Sequence, residues 1–337
     1  MAESRQQVRV LEGISPDRLP AEVLAPEQPL LLRGLVRDWP ISRAGLDSSA
    51  AAMAYLRRFV RDATVNAVRL HPRHQGRVFY NEDLSGFNFE ALRLPLAAVL
   101  DELQQLARQP EPATLYVGST TVDACLPGFR ADNDLRIGAA DPLVSIWLGN
   151  RSRVAAHYDL PDNLACCVAG HRRFTLFPPG QIANLYPGPI DFTPAGQTIS
   201  MVDFHAPDLQ RHPRFALALE QARYAELGPG DALLIPSLWW HHVEAGDDFN
   251  VLINYWWRQS PAWMDPPANV LEYALLAIRD LPPVQRAAWE ELFRYYVFGH
   301  GPDSQAHLPE QRRGLLGPMD DTRARRLRAH LLNRLKR

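Results

Sequence analysis

Between Leu143 and Trp257 the chain repeats one local pattern, a strand-length apolar run followed by a turn. Such runs occupy 143–148, 153–159, 164–169, 172–177, 199–202, 231–235, 242–245 and 251–257. Gly and Pro punctuate them, as in Phe177-Pro-Pro-Gly180, Tyr186-Pro-Gly-Pro189 and Gly228-Pro-Gly230. Many short strands separated by turn residues predict a β-sandwich or jelly roll. The flanks read differently. Upstream, strands are expected at 29–36, 64–70, 76–80 and 115–117. Helices are expected at 48–61, with Ser48 or Ser49 as N-cap, and at 94–109, where Leu96, Val99, Leu100, Leu103 and Leu106 fall on one face. Beyond Pro261 the pattern turns helical over 270–278, 284–298 and 320–337, and Pro282-Pro283 breaks the first of these from the second. The expected architecture is mainly β: a jelly-roll core over 115–260, N-terminal α/β elements over 1–114 packing on it, and a C-terminal helical segment over 261–337.

Within that core, Arg153-Val-Ala-Ala-His157-Tyr-Asp159 is the stretch with chemistry in it. Residues i and i+2 of a strand project from one side, so His157 and Asp159 converge if 153–159 is extended. Two imidazoles and a carboxylate on one face of an octahedron are what a mononuclear non-haem iron(II) site requires. The second imidazole must come from a neighbouring strand. Asp231-Ala-Leu-Leu-Ile-Pro leads into Trp239-Trp-His241-His242, and adjacent strand residues face opposite sides, so only one of the two histidines can point inward. His241 is taken as the ligand and His242 as a structural partner. His71, His74, His205, His212, His300, His307 and His330 read as ordinary surface or hydrogen-bonded histidines.

Composition narrows the function classes. A net charge of −2, with 46% hydrophobic and 22% charged residues, argues against a nucleic-acid binder organised by bulk charge. Cys125, Cys166 and Cys167 form no CxxC pair, which suits a reduced, cytoplasmic setting. Met1 to Gln7 holds no apolar core, and no run reaches a membrane span, so a soluble protein is expected. Lys336 is the only lysine among 36 basic residues, so arginine can stand wherever relatives carry lysine.

His157-Tyr-Asp159, Asn163, Gly170-His-Arg-Arg-Phe174, Leu176-Phe-Pro-Pro179, Leu185-Tyr-Pro187, Gly228-Pro-Gly-Asp231, Ile235-Pro236, Trp239-Trp-His-His242 and Asn254-Tyr-Trp256 together resemble the cupin-like JmjC oxygenases. Among these the chain looks most like the asparaginyl hydroxylase that inhibits hypoxia-inducible factor. The likeness is densest over about 115–258, and the first 100 residues add little.

The resemblance implies a double-stranded β-helix that uses Fe(II), O2 and 2-oxoglutarate, with His157, Asp159 and His241 as metal ligands and catalytic centre. Oxidative decarboxylation of 2-oxoglutarate to succinate would drive hydroxylation of a C–H bond. The far carboxylate of 2-oxoglutarate would meet Arg172, at the family's lysine position, helped by the Tyr116 hydroxyl. Arginine is a forked donor that can grip a carboxylate through two bonds. Val154 stands where the family has a threonine, removing one hydrogen bond to the co-substrate. Asn163 and Asn254 match amides near the iron-proximal carboxylate, with strand or turn capping as the plainer role, and Trp256 matches an aromatic wall. Gly118 replaces a polar substrate contact, so that enzyme's substrate does not carry over. The polar stretch 118–140 suits a lid or substrate loop, or a passive connection. The C-terminal helices, with Leu271, Leu275, Ile278, Trp289, Leu292, Phe293, Tyr296 and Phe298, correspond to the family's dimerisation helices and suggest a homodimer, against simple packing on the core. Arg323 to Arg337, with seven basic residues and no acid, reads as a solvated helix face.

Three readings follow. The first is an Fe(II)- and 2-oxoglutarate-dependent hydroxylase of a protein side chain. The second keeps that chemistry for a small metabolite or peptide natural product. The third is a non-catalytic metal-binding cupin serving as a sensor, since the same donors suit zinc.

Overall fold

The computed structural model describes residues 6–137, 141–194, 196–299, 301 and 305–336. The chain divides into two compact units, 1–258 and 259–337. In the first, fourteen strands run in chain order: β1 (Arg9–Glu12), β2 (Leu30–Arg33), β3 (Thr64–Leu70), β4 (Arg77–Val78), β5 (Glu90–Pro95), β6 (Thr114–Thr121), β7 (Leu143–Gly149), β8 (Ser152–Tyr158), β9 (Asp162–Ala169), β10 (Arg172–Phe177), β11 (Arg223–Leu227), β12 (Ala232–Ile235), β13 (Trp240–Ala245) and β14 (Asn250–Trp257). They form a nine-stranded sheet ordered β1-β2-β12-β9-β14-β7-β6-β3-β5 and a five-stranded sheet ordered β11-β10-β13-β8-β4. This is the mainly β, jelly-roll architecture that the strand pattern predicts.

The two sheets share a core. Leu31, Leu70, Ala165, Cys167, Leu233 and Leu252 from the large sheet meet Val154, Phe174, Leu176, Leu227 and Val243 from the small one. The other face of the large sheet is covered too. Leu164, Cys166, Val168, Ile253 and Tyr255 pack against Ile41, Met53, Leu56, Val99, Leu100 and Leu103 of the helices Pro40–Asp47, Ser49–Arg57 and Leu96–Leu106. All eight residues of β9 are therefore buried, which is why 164–169 reads as an unbroken apolar run rather than an alternation.

Local chemistry sets the boundaries. The Ser48 hydroxyl accepts from the Ala51 amide at 3.0 Å and caps the second of those helices. Gly45 lets the first helix lie directly on β9, since a Cβ there would sit 2.0 Å from the Val168 carbonyl oxygen. Gly230, at φ +101°, turns the chain into β12 against Arg37, while the neighbouring Asp231 carboxylate accepts from the Gly34 and Gly228 amides.

Several expectations change. Residues 199–202 form only bridges, Ile199 with His157 and Ser200 with Pro187, because the chain touches the sheet edge rather than joining it. The strand expected at 76–80 shortens to Arg77–Val78, and β1, β5 and β11 are additional. The stretch 118–140 is no open loop in its described part: β6 runs to Thr121, then Val122, Cys125, Leu126, Phe129, Leu135 and Ile137 are buried. Residues 138–140 lie outside the described residues. Among the described residues no helix is long and apolar enough to cross a membrane.

The second unit holds the helices Pro267–Ala277, Pro283–Phe293, continued by a π-helical turn over Arg294–Phe298, and Asp321–Leu335. The Asp320 carboxylate caps the last by accepting from the Arg323 amide at 2.8 Å. Arg328 ties it to the Asp265 carboxylate at 3.0 Å.

Candidate functional site

Strands β8 and β13 pair antiparallel at the centre of the small sheet, with His157 opposite His241. Between this pair and Val154↔Val243 the register shifts, so β8 carries one residue more than β13. That bulge turns His157 to the same inner face as Val154, three residues earlier, which a regular strand would forbid. Asp159 lies one residue past the end of β8. Its carbonyl accepts from the Leu238 amide at 2.9 Å, and Ser237 donates from its amide to Asp162 at 2.9 Å and from its hydroxyl to Leu160 O at 2.6 Å. The turn before β13 is thus stitched to the turn after β8, and both ligand-bearing segments are held together.

The result is a group of three donors. One ligand atom each from His157, Asp159 and His241 lies within 4.8 Å of the others, and these three residues are the set that could hold a metal ion among the described residues. His157 Nδ1 lies 2.9 Å from Ala155 O, and His241 Nδ1 lies 3.0 Å from Trp239 O. A carbonyl cannot donate, so each Nδ1 carries a proton and Nε2 is the ring atom left to face a ligand. Burial, with His157 beside it, pushes the His241 pKa down to about 4, which keeps its Nε2 lone pair free near neutrality. Two imidazoles and one carboxylate this close together fit a divalent first-row metal.

The other candidate residues line the same interior. Arg172 shares the inner face of β10 with Phe174 and Leu176 and is 3% exposed, whereas Arg173 faces outward to Glu226 at 3.1 Å. Its Nε and Nη2 are buried with no hydrogen-bond partner. Leaving charged donors dry is costly, so the position calls for an anion. The buried Tyr116 hydroxyl is near enough to interact electrostatically with Arg172, although burial drives its pKa up. Tyr116, Trp147 and Trp256 form an aromatic row, with centroids 6.2 Å and then 5.8 Å apart. The Trp256 indole N–H is buried without a partner.

Asn163 Nδ2 donates to Asp159 Oδ2 at 3.0 Å, and Asn254 Nδ2 donates to Asn163 Oδ1 at 2.9 Å. His242 faces the other way, against Phe204 at 4.7 Å and with Nε2 3.2 Å from Glu244. Sequence reasoning passed over Trp147 and Cys167, both on inner faces; Trp147 follows Ser145 at strand spacing and bonds its hydroxyl at 3.2 Å.

Comparison with known proteins agrees with this picture. A lysine-specific demethylase of Arabidopsis thaliana, JMJ31, is 34% identical over 136 residues, 40% of this chain and 24% of that protein. The human bifunctional peptidase and (3S)-lysyl hydroxylase JMJD7 is 28% identical over 265 residues, 69% of this chain and 78% of that protein. The chicken (Gallus gallus) tRNA wybutosine-synthesizing protein 5 is 31% identical over 145 residues, 39% of this chain and 42% of that protein. The matched stretch thus spans about a quarter of the first and less than half of the third. The cupin-like domain family matches residues 16–262, most of the chain and all three donors of the site. The chain belongs to the cupin-like domain family.

Proposed function

We propose that this protein is an Fe(II)- and 2-oxoglutarate-dependent dioxygenase that hydroxylates a protein side chain. One observation carries the reading: three metal-competent donors converge on the sheet whose strand β10 carries buried Arg172 with unpartnered N–H groups. Iron, when bound, would couple oxygen activation to oxidative decarboxylation of 2-oxoglutarate. The protein's part is positional. His157 and His241 present Nε2, and Asp159 offsets part of the metal's charge. Arg172, with Tyr116, takes the far carboxylate of the co-substrate. Phe174, Leu176, Val243 and Leu252 exclude water around it. Val154 offers no hydroxyl there, so the arginine fork carries that recognition.

The choice of a protein substrate draws on the relatives named for lysine demethylation and lysyl hydroxylation. The motif resemblance to the asparaginyl hydroxylase that inhibits hypoxia-inducible factor supports the chemistry, and Gly118 separates this chain from that enzyme's substrate. The relative named for tRNA modification points elsewhere, but a net charge of −2 disfavours a polyanionic substrate. Succinate release from 2-oxoglutarate, assayed with peptide pools and with metabolite extracts, tests the reading. Stimulation by peptides with a hydroxyl-sized mass gain supports it, and stimulation only by metabolites assigns the chemistry to a small molecule.

We further propose that the C-terminal helices form a homodimer interface. Leu276, Val284 and Phe298 of these helices are 80%, 83% and 80% exposed, apolar surface that a second copy of the chain would cover.

A further inference from the structure

Each histidine of the candidate centre is tethered to a carbonyl two residues earlier in the chain, His157 to Ala155 O and His241 to Trp239 O. Asp159 stands one residue beyond the last residue of β8. Its side chain is held from the large sheet. Asn163 on β9 donates to Oδ2, the oxygen that also lies 3.8 Å from His241 Nε2.

The polarity of this contact is fixed from one end. Asn163 presents its Nδ2 to Asp159 Oδ2 and turns its Oδ1 away, towards Asn254. Asn254 on the neighbouring strand β14 then has to donate through Nδ2, which leaves Asn254 Oδ1 buried and without a partner. Asn163 and Asn254 are 3% and 5% exposed, so the pair lies inside the fold. A chain of two buried amides ending in an unpartnered carbonyl is poor economy for a core, and it makes sense if its other end matters.

We propose that Asn163 is a positioning residue that sets the orientation of the Asp159 carboxylate for metal, and that Asn254 acts only through Asn163, by fixing which way its amide faces. The inference rests on the metal-centre reading above. It follows the general rule that groups hydrogen-bonded to metal ligands govern affinity, typically by about 10–100-fold.

The test is a titration of metal-free protein with Mn(II), free ion being counted by electron paramagnetic resonance, with melting curves of each metal-free form. Asn163→Ala should weaken Mn(II) binding roughly tenfold or more, and Asn254→Ala less. The double variant should bind no worse than Asn163→Ala alone, because Asn254 has nothing left to act on. Asn163→Leu keeps the volume without the donor and should repeat the loss if Asn163→Ala melts early. Wild-type affinity in both Asn163 variants overturns the proposal, and so do additive losses in the double variant, which are the mark of a merely structural role. Asp159→Ala separates the two levels of the argument. If it binds Mn(II) as the wild type does, the metal-centre reading itself fails; if it loses Mn(II) while the Asn163 variants do not, only the positioning role falls.

Discussion

His157 and His241 stand directly opposite each other on β8 and β13, with ring centroids 4.3 Å apart, and each turns its Nδ1 to a backbone carbonyl two residues earlier in the chain. The symmetry sets both Nδ1 atoms against backbone carbonyls. Burial and the neighbouring His157 ring favour a neutral His241, which leaves its Nε2 for a cation other than a proton.

Removing one donor should therefore act on metal before anything else. His157→Ala and Asp159→Ala are each expected to weaken Mn(II) or Fe(II) binding by at least tenfold and to abolish succinate release. Full metal affinity in either variant, measured by equilibrium titration, would count against the ligand set.

Arg172 separates co-substrate from metal. Arg172→Ala should weaken 2-oxoglutarate binding by roughly ten- to hundredfold, corresponding to about 1.5–3 kcal/mol for a charge-assisted bond, with metal affinity nearly intact. Arg172→Met should melt no lower than the wild type in the metal-free, ligand-free state, because it removes buried donors that have no partner. Calorimetric titration with 2-oxoglutarate reads the first effect and thermal melting the second.

Acid should erode the metal-free fold in a defined window. The folded protein holds the His241 pKa at about 4, against an ordinary 6.5, so the unfolded chain takes up this proton first as pH falls. Stability from this group is intact above about pH 6.5 and drains away towards pH 4. Glu244, pulled down to about 2 by its bond from His242, adds a second loss below its ordinary 4.5. Melting temperature against pH should fall across 6.5 to 4, and His241→Gln should flatten the upper part. A flat wild-type profile there would contradict the buried, neutral imidazole.

Two glycines give opposite forecasts for one substitution. Gly45→Ala puts a Cβ against Val168 O and should cost about 1–3 kcal/mol. Gly180→Ala meets nothing within 4 Å and should stay within about 0.5 kcal/mol. Chemical denaturation of both variants checks the helix-on-sheet contact that backs β9.

Sedimentation tests the second unit. The full chain should run as a dimer, and Leu276→Glu with Val284→Glu should yield monomers. A monomeric wild type at micromolar concentration would remove the C-terminal helices from the interface.

The jelly roll is legible in the sequence because its turns use Gly and Pro where the backbone demands them, as at Gly228-Pro-Gly230. The donors are legible because His157 and Asp159 keep a short spacing and His241 follows a recognisable turn and strand. The bulge in β8 is not, since Val154-Ala155-Ala156 is apolar on both faces and carries no alternation to break. Nor does β9 reveal which face Asn163 and Cys167 take, being buried on both sides. The stretch after Gly118 misleads for a related reason: its Ser and Thr residues mask the buried Val122, Leu126 and Phe129 that follow.

A crystal structure grown anaerobically with Mn(II) and 2-oxoglutarate tests the central claim most directly. The account predicts one ion about 2.0–2.3 Å from His157 Nε2, His241 Nε2 and an Asp159 oxygen, with the far carboxylate of 2-oxoglutarate on Arg172. An ion bound elsewhere, or a co-substrate turned away from Arg172, would contradict it.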